Sequence, residues 1–97
     1  MSSTESSKLT AADIFLYLRQ HLLDAREQND SKVLVEIQTI CDFLSGLAYS
    51  KKIRGLGAIL EEFESSARDS ITGVSWKSTI PSEEEIRSVL AEEIDQP

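Results

Sequence analysis

From Ser31 to Arg68 the chain runs for nearly forty residues in helical pattern, with three glycines (Gly46, Gly55, Gly57) and no proline. Few structures accommodate such a stretch. Its apolar residues recur every three or four positions, which places them on one side of a helix. Val33, Ile37, Ile40, Leu44 and Leu47 form one row, with Leu34, Cys41 and Ala48 beside it and Glu36, Gln38 and Asp42 outside. Further along, Tyr49, Ile53, Leu56, Leu60, Phe63 and Ala67 keep the same spacing.

That second row passes through Gly55 and Gly57, but the charges argue for an interruption. A helix beginning at Ser50 carries Lys51, Lys52 and Arg54 at its positive end and Glu61, Glu62 and Glu64 further on. Both placements oppose the helix dipole. Ending the earlier helix after Arg54, with Gly55 in the left-handed capping position, puts both clusters at favourable ends. The expectation is a break or kink within 46–57, between helices of about 32–49 and 51–68.

Ahead of this stretch, residues 1–8 are rich in serine and threonine and carry no apolar residue after Met1. They bury too little to offset their ordering entropy, so a disordered leader is expected. A helix of about 10–28 follows. Thr10 and Asp13 have capping-box spacing, with Asp where Glu or Gln is usual. Ala11, Phe15, Leu18, Leu22 and Ala25 share one face, flanked by Ile14 and His21, while Leu16, Tyr17 and Leu23 widen it. An arc this broad is buried on two sides, within a bundle or across an oligomer contact. Asn29, Asp30 and Ser31 make the turn, and so short a link implies an antiparallel αα-hairpin.

After Asp69 the pattern changes. Ile71 to Ile80 is β-branched and aperiodic, too short for two good strands, and is expected to lie extended with Ile71, Val74 and Trp76 over the helices. Pro81 stops it. Ser82 and Glu85 form a second capping box, with Glu83 and Glu84 in the favourable first turn. Ile86, Val89, Leu90 and Ile94 make a narrow apolar stripe on a helix of about 82–94, and residues 95–97 fray.

Charge is unevenly spread. Residues 83–97 hold six acids and one base, a net −5 of the total −7, so residues 1–82 carry only −2. Nucleic-acid binders display a basic face, which this balance does not supply. No run reaches the roughly 20 apolar residues of a membrane span, and Met1–Lys8 has no apolar signal core. The expected setting is therefore cytoplasmic or nuclear. Ninety-seven residues make a single domain, expected over 9–94.

Motifs for chemistry are weak. Cys41 and His21 are the only cysteine and histidine, too few for a zinc site. A mid-helix thiol on an apolar flank is packing material rather than an activated nucleophile. Neighbouring acids such as Glu83, Glu84 and Glu85 fan out by roughly 100° each and do not converge on an ion. Gly55-Leu56-Gly57 lacks the spacing of a phosphate loop. A helix-turn-helix over 36–63 would point Glu61, Glu62 and Glu64 at phosphates, which repel them. No catalytic, metal or cofactor-binding residue is assigned.

The sequence thus reads as all-α, a small helical bundle: an αα-hairpin, a third helix, an irregular extended segment and a short C-terminal helix. The expected role is a non-enzymatic protein-protein interaction module, such as a small adaptor, a regulatory or inhibitory protein or an assembly subunit, acting in part as a homodimer. Expected interface residues are Ile14, Phe15, Leu18, Leu22, Trp76, Ile86 and Leu90. Lys51, Lys52 and Arg54 are candidate anion contacts, and they support the alternative of a nucleic-acid-associated regulator. A Cys41–His21 hydrolase ranks third. Partners expected are another protein or a second copy, not a membrane.

Overall fold

A computed structural model describes residues 10–73 and 79–93. The described residues form an all-α helical bundle of four helices: α1 (Ala11–Gln28), α2 (Ser31–Ser50), α3 (Arg54–Thr72) and α4 (Glu83–Glu93). The leader 1–8, the tail 95–97, Val74, Trp76 and Ile94 lie outside these residues.

Local chemistry sets the helix ends. Thr10 Oγ1 accepts from the Asp13 N–H, and Asp13 Oδ2 accepts from the Thr10 N–H, each at 3.1 Å. Together they satisfy two of the first-turn donors. Asn29 adopts the left-handed conformation (φ 54°), and the Asp30 N–H closes back on the Ala25 carbonyl. Asp30 then caps α2, its Oδ1 accepting from the Val33 N–H at 3.3 Å. Two residues end one helix and start the next.

The link between α2 and α3 falls at 51–53, inside the expected 46–57, but its cap departs from the sequence expectation. The left-handed residue is Lys52 (φ 65°), not Gly55, and α2 stops at Ser50. Lys52 N–H bonds to the Tyr49 carbonyl and Ile53 N–H to the Ala48 carbonyl, both at 2.9 Å, the paired pattern of a Schellman cap. Ile53 is half-buried against the core, which supplies the apolar contact that accompanies this cap. Gly55 instead lies in the first turn of α3. That turn has no side-chain cap from its own N-cap residue, Ile53. Glu93, at the end of α4, accepts from the Gly55 N–H at 3.0 Å. A Cβ at position 55 would collide with this carboxylate. The absent side chain lets the end of α4 reach the start of α3.

At its far end α3 runs past Asp69 to Thr72, closed by Gly73 (φ 72°). Ile71 and Thr72 are therefore helical, not part of an extended segment. Continuing the i→i−4 ladder outweighs the slight helix disfavour of β-branched residues. Ser82 Oγ accepts from the Glu85 N–H at 3.1 Å at the start of α4.

The contacts give an up-down-up-down order. Tyr49 reaches Glu61 and Gln38 reaches Glu64, so α2 and α3 are antiparallel. These two make the most intimate pair in the molecule. Gly57 allows the approach, since a Cβ there would sit 3.0 Å from the Tyr49 ring. Short connections point to the α1–α2 hairpin as the tight one; in fact α1 touches each of the other helices over small patches. α4 lies against α1 and α3, with Arg19 Nε donating to the buried Pro81 carbonyl at 2.9 Å. Leu22, Leu34, Cys41, Ile59, Leu60, Phe63, Ile86 and Leu90 fill the centre. Replacing Glu93 by Ala should cost about 1 kcal/mol, the usual loss for a helix N-cap, and Glu93→Gln, which keeps an acceptor, should cost less. Urea unfolding measures both; an unchanged midpoint in the alanine variant would show that the Glu93 contact contributes nothing.

Candidate functional site

Helix α2 carries two apolar sides, and the bundle uses only one. Leu34, Ile37, Cys41, Ser45 and Ala48 are buried. Ile40 and Leu47, placed by the sequence in the main buried row, are instead 54% and 45% exposed, and Phe43 is 70% exposed. Leu34, Ile37, Cys41 and Ala48 already complete a core-facing row at helical spacing, so the bundle has no room for a second.

The surplus row sits on the α1 side of α2. Gln38 and Tyr49 face α3, while Leu44, Leu47 and Val33 line the gap towards α1. At one end of that gap a groove of about 220 Å³ is walled by Phe15, Leu44, Leu47, Ala48, Ile53, Leu56 and Leu60, with Lys51 at its edge. At the other end a hollow of about 210 Å³ lies among His21, Asp24, Ala25, Gln28, Asp30 and Val33. Phe15 beside Leu47, and His21 beside Val33, establish that α1 and α2 run antiparallel with a shallow seam between them. On α1, Ile14 (55% exposed) and Tyr17 (72%) occupy the flank that also carries His21. Tyr17 and His21 stack with ring centres 5.9 Å apart.

The expected interface residues therefore separate. Ile14 is exposed, and Phe15 and Leu18 are half-buried beside the seam. Leu22, Ile86 and Leu90 are fully buried inside the bundle and present no surface. Trp76 is outside the described residues. Ile40, Phe43, Leu47 and Tyr17 were not selected as interface residues from the sequence. The signal for three of them was present: α2 holds more apolar residues than one buried row needs.

Lys51, Lys52 and Arg54 all emerge at the α2–α3 turn and are exposed. They do not form a separate basic face. Lys51 borders the apolar groove, and Arg54 opens α3 one residue before the Gly55 N–H held by Glu93.

A larger hollow of about 860 Å³, between α3 and the start of α4, is lined by Glu61, Glu62, Glu64, Glu85 and Arg68 among others. Three of these groups are used internally. Glu64 pairs with Arg68 at 3.1 Å, and Glu61 accepts from the Tyr49 hydroxyl at 2.7 Å. That bond, with a smaller contribution from desolvation and the Glu61 charge, raises the Tyr49 phenol pKa. Partial burial and then the Glu85 charge raise the Glu62 carboxyl. Among the described residues no group of three or more His, Cys, Asp or Glu side chains is arranged to hold a metal ion.

Burial, reinforced by the Glu64 charge, pushes the Cys41 thiol up from 9.0 to about 12. That is the opposite of the activation a nucleophile needs. No family model, curated protein or solved structure matches this chain.

Below pH 9 the thiol is protonated in both the folded and unfolded chain and adds no pH dependence. Between pH 9 and 12 only the unfolded chain ionises, so this group makes stability fall as pH rises. Iodoacetamide at pH 8 should accordingly label Cys41 slowly in the native protein and rapidly in urea. Equal rates would mean the thiol is not buried.

Proposed function

We propose that the chain is a non-enzymatic protein-protein interaction module, of the adaptor, regulatory or assembly-subunit kind, which binds through the seam between α1 and α2. The observation that carries this reading is the exposed apolar row Ile40, Phe43 and Leu47, beside Ile14 and Tyr17 on the adjoining helix. Large apolar side chains scattered singly on a surface need no explanation, whereas a contiguous row at helical spacing marks a contact site. Covering it removes apolar area from water at about 25 cal/mol per Å². Phe43 and Tyr17 also belong to the aromatic type enriched at such contacts. The seam matches a helix-in-groove mode, in which a partner helix lays its own apolar stripe along the row.

The runner-up is a nucleic-acid-associated regulator using Lys51, Lys52 and Arg54. It draws support from the exposure of three cations at one turn. The net charge of −7 and the Glu93 carboxylate next to that turn work against it.

A photo-crosslinking side chain at Phe43 should give adducts of discrete mass in cells producing the protein. The same group at Ser88, exposed on α4, should not. Phe43→Asp should leave the chain as helical as the wild type by circular dichroism, as expected for a side chain outside the core. An absence of adducts from positions 17, 40 and 43 alike would refute the reading.

A further inference from the structure

Resting on that reading, we infer that the seam is occupied by a second copy of this chain, the two α2 helices lying antiparallel about a two-fold axis at Phe43–Leu44. Helix α2 is complementary to itself in this direction and not in the other. Reversing it about that point sets Ile40 against Leu47 of the second copy, Phe43 against Leu44, and Glu36 against Lys51. The three pairs share one register. Apolar residues meet at the centre and opposite charges meet at both ends, each ion pair occurring twice by symmetry. A parallel pairing would instead set Glu36 on Glu36 and Lys51 on Lys51.

Exposure supports the same match. Glu36, Ile40, Phe43, Leu47 and Lys51 are all exposed, on the side of α2 away from α3, and Leu44 is half-buried beside them. At 1.5 Å rise per residue the row from Glu36 to Lys51 spans about 22 Å, four turns of contact. Ile14 and Tyr17 border this strip, so α1 can extend the contact on each side. The most acidic helix stays clear of it: α4 contacts α1 and α3 and not α2 among the described residues. Two molecules of net charge −7 can therefore meet with their most acidic helices turned away.

The test is sedimentation equilibrium of the purified full chain, wild type beside Glu36→Lys, Lys51→Glu and the double variant. The wild type should be a dimer. Each single reversal replaces two attractions by two repulsions and should raise the dimer Kd by about tenfold at low salt, and the double variant should return to near the wild-type value. Circular dichroism checks that each variant stays helical. A second measurement fixes direction independently of stability: Ile40→Cys mixed with Leu47→Cys should give a disulfide-linked pair more readily than Ile40→Cys alone, buried Cys41 staying out of the reaction. A monomeric wild type overturns the inference, and adducts from position 43 to a different protein would then leave the interaction reading standing. A dimer indifferent to the single reversals, or not restored in the double variant, overturns this pairing.

Discussion

The carboxylate of Glu93 on the Gly55 N–H ties the last described turn of the chain to the first turn of α3, and the openness of the molecule follows from it. α3 begins without a side-chain cap of its own, and its positive end is served by a negative group from another helix. Holding that contact lays α4 along α3 and α1, where Ile86 and Leu90 are completely covered. Once α4 occupies that side, nothing among the described residues covers the outer flank of α2.

The bundle is consequently lopsided. α2 and α3 pack closely because Gly57 admits the Tyr49 ring, while α1 and α2 meet along a shallow seam although only two residues join them. The densest acidity is on α4; apolar surplus gathers on α1 and α2. An apolar strip that the most acidic helix, α4, does not reach suits the proposed docking role. No described helix is long and apolar enough to cross a membrane.

Much of this was legible in the residues. Helical periodicity defined the fold class, and the Thr10–Asp13 pair and the Asn29–Asp30 turn stood out because capping chemistry is local. Three features were not legible, each for a physical reason. The buried side of α2 was ambiguous because Ile40 and Leu47 share the period of the true core row, and only the positions of α1 and α3 decide between the two. Gly55 looked like a helix terminator, whereas its lack of a Cβ serves a contact with Glu93, 38 residues away. Lys52 takes the left-handed position that glycine usually fills, so the composition of the turn misplaced the cap, though not the interval that holds the break. The interface candidates split for the same reason as the α2 row: Leu22, Ile86 and Leu90 carry the apolar character of an interface but are consumed by the fold.

The most direct measurement is a series of amide nitrogen–proton correlation spectra of the isotope-labelled chain over a hundredfold range of concentration. An open seam that takes a second copy predicts shifts or broadening concentrated at Ile14, Tyr17, Glu36, Ile40, Phe43 and Leu47, with α4 unmoved. Shifts centred on Glu83–Glu93, or no change at any concentration in a chain that sediments as a monomer, would contradict self-association through α1 and α2.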